Sequence, residues 1–162
     1  MKVRIAGCAK ESVVDGPGIR YVVFAQGCAH NCPECHNKET HDFKGGVEVE
    51  VDDLLEDIHK RKYIDGVTFS GGDPFYQPKE FAYMAEELKK DGINVMAYTG
   101  FLFEDLVKDE KMKKLLQNVD TLMDGPFIKE NKTFKMPFRG SSNQRMIDVK
   151  RTLEAKKMFI IK

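Results

Sequence analysis

Gln26-Gly27-Cys28-Ala29-His30-Asn31-Cys32-Pro33-Glu34-Cys35-His36-Asn37 is the stretch on which the reading of this chain turns. Three residues separate its first two cysteines and two separate the second pair. A short loop of this spacing can direct three thiolates at one soft metal centre, and it supplies no fourth. On a four-iron cluster, three protein ligands leave one iron open to a ligand that is not protein. Spacing alone also allows a closed, four-coordinate zinc site. There Cys28, Cys32 and Cys35 would be joined by His30, His36 or His41, or by Cys8.

Outward from the loop, the chain alternates between two periods. Asp15-Gly16-Pro17-Gly18 is a turn, in which proline presets one torsion and glycines accept positive φ. Residues 19–25, β-branched and aromatic in Val22-Val23-Phe24, predict a strand that delivers the chain into the cysteine loop. Gly66-Val67-Thr68-Phe69-Ser70 predicts another strand, ending in Gly71-Gly72-Asp73-Pro74, where glycines let a group approach the backbone closely. Residues 93–98 and 119–123 read as strands stopped by Thr99-Gly100 and by Asp124-Gly125-Pro126. Helices are predicted from Val51, Leu54, Leu55 and Ile58 and from Phe81, Met84, Ala85 and Leu88, with amphipathic turns over 104–117. A short strand or arm is expected over 1–7, a loop over 129–137, and weaker strands over 144–153 and 158–161.

Repeated β-loop-α units imply an α/β fold with a parallel sheet and helices outside. At 162 residues the chain is too short for the eight units of a full barrel, which takes about 250. The expectation is one domain, 1–162: a partial, open β/α barrel of about five or six mostly parallel strands. Every chemically loaded segment would then lie at the C-terminal edge of the sheet.

Lys plus Arg and Asp plus Glu both number 26, so the formal charge is zero, against broad nucleic-acid binding. No apolar run approaches the ~18 residues of a membrane span. The N-terminus is too short in its apolar part for a secretory signal, so a cytoplasmic protein is expected. Four cysteines in such a chain read as metal ligands before disulfides, with Cys8 as a small core side chain.

Cys28-x3-Cys32-x2-Cys35 resembles the signature of radical S-adenosylmethionine (radical SAM) enzymes. Together with Asp15-Gly16-Pro17-Gly18-Ile19-Arg20, Cys35-His36-Asn37 and Arg139-Gly140-Ser141-Ser142-Asn143-Gln144-Arg145, it resembles the activating enzymes of glycyl-radical enzymes. Among these it is most similar to the small activases of anaerobic ribonucleoside-triphosphate reductases, over nearly the whole chain. The resemblance implies a partial barrel in which Cys28, Cys32 and Cys35 hold a [4Fe-4S] cluster and S-adenosylmethionine chelates the fourth iron. Gly71, Gly72 and Asp73 correspond to a Gly-Gly-Glu-type motif whose backbone meets the cofactor's methionine amino group. His36 would pack near the adenine. Glu34 stands where many members carry an aromatic residue, and its backbone, with that of Cys35, would reach the nucleoside. A flavodoxin or ferredoxin-type donor would reduce the cluster. The 5′-deoxyadenosyl radical would then take a hydrogen from a glycine of the partner reductase. Ser141 and Arg145 would meet either cofactor or partner. The rival classes are a small radical SAM enzyme with a small-molecule substrate, such as the queuosine-precursor synthases, and a non-enzymatic zinc-stabilised or electron-carrying module.

Overall fold

The computed structural model describes residues 1–30 and 38–161. Its framework is a seven-stranded sheet of order β3-β1-β2-β4-β5-β6-β7, made of β1 (Lys2–Ser12), β2 (Arg20–Ala25), β3 (Val47–Glu50), β4 (Gly66–Gly71), β5 (Asn94–Tyr98), β6 (Thr121–Asp124) and β7 (Arg145–Asp148). β2, β4, β5 and β6 form a parallel block. β1 pairs antiparallel with both β2 and β3, and β7 pairs antiparallel with β6. Five strands therefore run one way, with β1 and β7 opposed. The α/β expectation holds, with seven strands in place of five or six.

The helices are α1 (Val51–His59), α2 (Pro78–Lys90), α3 (Phe103–Leu106), α4 (Glu110–Gln117) and α5 (Val149–Ala155). The period-two alternation of the strands separates two faces. Val67, Phe69, Val95, Ala97, Leu122 and Ile147 join the large core with the helices. Within α2, Phe81, Met84, Ala85 and Leu88 are buried on that face, as their spacing predicts. Each large apolar side chain so buried contributes about 1.5–3 kcal/mol. On the opposite face Met96, Met123 and Met146 form a smaller cluster with Tyr98, Phe138 and Ile161. This inner face carries the site.

The sequence expectations need correction at the sheet margins. β1 is an 11-residue strand and not a short arm. β3 arises where no element was expected: its alternating Val47-Glu48-Val49-Glu50 pairs with residues 2–5 of β1. The strand expected over 144–153 ends at Asp148, because the Asp148 carboxylate accepts from the Arg151 N–H at 3.1 Å and starts α5. The 158–161 strand reduces to one bridge between Ile147 and Ile160. The amphipathic run over 104–117 divides into α3 and α4, the second capped by Asp109. Cys8, expected as a small core side chain, is half-buried and packs against the large core. No helix among the described residues is long and apolar enough to cross a membrane.

Candidate functional site

A cleft of about 640 Å³ opens at the C-terminal ends of the parallel strands, within the range of small-molecule sites. Cys28 and His30 reach it from the loop after β2, Gly71 and Gly72 from β4, and Thr99 and Gly100 from the end of β5.

The base of the cysteine loop is pinched shut by backbone pairing. The Gly27 N–H donates to the Thr40 carbonyl at 2.6 Å, and the Cys28 N–H to the His41 carbonyl at 3.1 Å. The same base is stitched to the end of β4: Gly72 N–H to the Ala25 carbonyl at 2.8 Å, Asp73 N–H to the Gly27 carbonyl at 3.0 Å. This explains the second glycine. A Cβ on Gly72 would lie 2.5 Å from the Gly27 oxygen and 2.7 Å from the Thr40 oxygen. The group that approaches the Gly71-Gly72 backbone on this side is thus the chain itself, while both glycines also face the cleft.

Asp73 is 1% exposed and does not line the cleft. Its Oδ2 accepts from Thr99 Oγ1 at 2.8 Å and the Gly100 N–H at 3.0 Å, and lies 2.7 Å from Nε2 of His30. Its Oδ1 accepts from the Phe75 N–H at 2.9 Å, capping the short Pro74–Tyr76 turn. The His30 ring meets Phe101 edge-on with centroids 4.5 Å apart and tilts against Tyr76 at 5.5 Å. Spacing offered His30 only as a candidate zinc ligand and gave no sign of its pairing with Asp73; the signal available was its place between two of the clustered cysteines.

The floor of the inner face is set by the Asp15-Gly16-Pro17-Gly18 turn and Arg20. Arg20 is 2% exposed. Its Nε donates to Thr68 Oγ1 at 2.7 Å, one terminal nitrogen to the Pro17 carbonyl at 3.1 Å, and the other to the Val67 carbonyl and Asn94 Oδ1. The Thr68 hydroxyl in turn donates to the Asp15 carbonyl at 2.8 Å. Burial pulls the Arg20 guanidinium below its ordinary range, and Asp120 and Asp65 oppose the fall. Gly16 has φ 136°, and a Cβ there would lie 2.8 Å from Arg20 Cδ and 2.9 Å from Met96 Sδ. Beside this floor Tyr98 donates its hydroxyl to the Phe138 carbonyl, and burial pushes its phenol well up.

The two singled-out residues of the late motif both bond to other parts of the chain. Ser141 is fully buried and accepts from the Ile128 N–H at 3.2 Å. Arg145 donates from Nε to Asp124 Oδ1 at 2.9 Å and from Nη2 to Glu104 at 2.9 Å, tying the ends of β6 and β7 to α3. Asp124 is fully buried, and its Oδ2 also accepts the Phe103 N–H at 2.8 Å. Between these two, Gln144 bonds the Gly125 carbonyl at 3.1 Å and the Gly140 N–H at 2.9 Å, closing one wall of the cleft. Arg139, also on that wall, donates to the Gln144 carbonyl at 3.1 Å.

Of the predicted site residues, Cys28, Gly71 and Gly72 come together at the cleft, and Asp73 lies immediately behind it. Cys32, Glu34, Cys35 and His36 lie outside the described residues. The donor set fits an iron–sulfur cluster: Cys28 lines the cleft, its loop is fixed at the base, and all three donors are soft.

The sequence matches the family model described as "4Fe-4S single cluster domain" over residues 14–147. It is 36% identical over 143 residues to the anaerobic ribonucleoside-triphosphate reductase-activating protein of Enterobacteria phage T4, covering 82% of this chain and 86% of that protein. With the protein of the same name from Escherichia coli K12 it shares 28% identity over 140 residues, 82% of this chain and 90% of the relative. A pyruvate formate-lyase-activating enzyme from Clostridium pasteurianum is 42% identical over 96 residues, 56% of this chain and 40% of that enzyme.

Proposed function

The chain belongs to the family of anaerobic ribonucleoside-triphosphate reductase-activating proteins, and from that membership we propose that it is a radical SAM activase which generates a glycyl radical on the anaerobic reductase. The observation that carries the reading is the position of Cys28: it faces the cleft beside Gly71 and Gly72, on a loop stitched to that strand end.

Cys28, Cys32 and Cys35 would hold the [4Fe-4S] cluster and leave one iron for the methionine end of S-adenosylmethionine. When bound, the pair supplies a one-electron reductive cleavage of the sulfonium that begins hydrogen abstraction from glycine. The chain's own residues orient and shield. Backbone at Gly71 and Gly72, which line the cleft, would serve the methionine amino group, with that at Asp73 behind them, and Glu34, Cys35 and His36 would flank the nucleoside. Tyr98 and the methionine cluster beneath keep the inner face dry. Ser141 and Arg145, committed to structural partners, hold the wall. No general acid or base is required of His30 or His41.

The partial-barrel reading is supported by an unclosed sheet with five co-directional strands. Around the cleft stand Val13, Val14 and Phe134, at 68%, 72% and 87% exposure. An apolar mouth of that kind suits a protein segment entering from solvent. The electron donor is a flavodoxin or ferredoxin-type protein, and the setting is the cytoplasm. The test is anaerobic reconstitution followed by electron paramagnetic resonance of the reductase. A glycyl doublet that requires this protein, S-adenosylmethionine and a reductant supports the reading. A silent reductase while a small molecule is consumed favours the small-molecule rival, and zinc without iron or sulfide ends both enzyme readings.

A further inference from the structure

We infer that the Asp73 carboxylate serves this site by fixing His30, and through it the start of the cysteine loop, and that it makes no contact with S-adenosylmethionine. The inference rests on the activase reading above and concerns which atoms of the Gly-Gly-Asp segment do the work. An ionised carboxylate offers about four acceptor positions. At Asp73 the Thr99 hydroxyl, the Gly100 N–H and Nε2 of His30 crowd Oδ2, and the Phe75 N–H takes one position on Oδ1. With the carboxylate as acceptor, His30 carries its hydrogen on Nε2. An incoming ammonium group would have to reach a carboxylate that is 1% exposed and does not line the cleft, and at Oδ2 it would leave a displaced donor buried without a partner.

The other walls around His30 serve the same end. Phe101 and Tyr76 hold the ring from two sides. Gly100 admits it from a third, since a Cβ there would lie 2.5–2.8 Å from three ring atoms. His30 falls between Cys28 and Cys32 in the chain. One buried carboxylate therefore ties the start of the cysteine loop, at His30, to the end of β5 and to the turn after β4. His30 and Asp73 are positioning residues: they set the loop against the glycine backbone, and that backbone faces the cleft.

The experiment uses the full chain, anaerobically reconstituted, as wild type, His30→Ala, His30→Gln, Asp73→Asn and the double variant His30→Ala/Asp73→Asn. Iron and sulfide per chain are measured. The spectrum of the reduced cluster is then titrated with S-adenosylmethionine, alongside kcat and KM for its cleavage. His30→Ala should keep its iron and sulfide while half-saturation by S-adenosylmethionine rises about 10- to 100-fold, as when an outer hydrogen-bond partner of a metal site is removed. His30→Gln, whose amide N–H can occupy the Nε2 position, should recover most of the loss. The double variant should match Asp73→Asn, since the two residues act as one unit. Loss of the S-adenosylmethionine response in Asp73→Asn alone would show direct contact and overturn the inference. Loss of iron in His30→Ala would make His30 a ligand and overturn it equally, as would penalties that multiply in the double variant. Should Asp73→Asn fail to fold, as judged by circular dichroism, the His30→Ala and His30→Gln pair decides alone: no loss in the first, or no recovery in the second, sinks the inference. A wild-type protein that assembles no cluster or ignores S-adenosylmethionine sinks the activase reading instead.

Discussion

Replacing Gly72 by alanine places a methyl group 2.5 Å from the Gly27 oxygen and 2.7 Å from the Thr40 oxygen. Both neighbours are backbone, so neither can swing aside as a side chain would. Relief requires the loop base to lift, and the bonds that fail are Gly27 N–H to Thr40 and Asp73 N–H to Gly27. Two such bonds are worth about 1 kcal/mol each, and residual crowding costs about 1 kcal/mol more. Stiffening the unfolded chain returns about 0.4–1 kcal/mol. The expected net loss is about 2 kcal/mol, a fall in Tm of roughly 4–8 °C at this chain length. The assay is thermal denaturation by circular dichroism of wild type and Gly72→Ala, with iron content measured after reconstitution. Gly7→Ala is the control: nothing lies within 4 Å of a Cβ there. If Gly72→Ala melts within about a degree of wild type and loads iron fully, the stitched base is not what the second glycine is for.

Other expectations can be checked separately. Arg145→Ala strands the buried Asp124 carboxylate and should cost about 3 kcal/mol in chemical denaturation, whereas Glu104→Ala, at an exposed end of the same clasp, should cost under about 1 kcal/mol. Burial pushes the Cys8 thiol up, and burial and then its bond to Asp57 push the Tyr21 phenol up. Both groups thus hold their protons longer folded than unfolded, so stability is complete below the unfolded values and falls as pH rises above about 9. Tyr21→Phe should flatten that alkaline decline in urea titrations at stepped pH; an unchanged slope refutes it. Phe134→Asp should raise KM for the reductase several-fold in activation assays while leaving uncoupled S-adenosylmethionine cleavage as in wild type, and equal loss in both would place Phe134 elsewhere in the mechanism.

The parallel block was legible because its signals are local and strong. Runs such as Val67-Thr68-Phe69 are β-branched or aromatic and end in glycine, and the apolar stripe of α2 repeats at helical spacing. The margins were not. β3 is four residues long, and its outer side chains are exposed, so pairing with β1 and not composition makes it a strand. Asp148 ends β7 through its own side chain, a capping choice that competes with the β pattern of Met146-Ile147. At the site, cysteine spacing pointed to the loop, and Gly-Gly-Asp to the facing strand end. What spacing could not convey is that Asp73 turns away from the cleft toward His30, 43 residues earlier in the chain, or that Arg145 belongs to Asp124. Long-range pairings of this kind are set by the fold and leave no local pattern.

The central claim is that three cysteines leave one iron for the methionine end of S-adenosylmethionine. The direct measurement is electron–nuclear double resonance of the reduced, reconstituted protein with S-adenosylmethionine labelled with ¹⁵N and ¹⁷O at its amino and carboxylate groups. The account predicts one four-iron, four-sulfide cluster per chain, as the family description states, with resolved coupling to both labels. A cluster that shows neither coupling, or a chain that holds zinc alone, would contradict it.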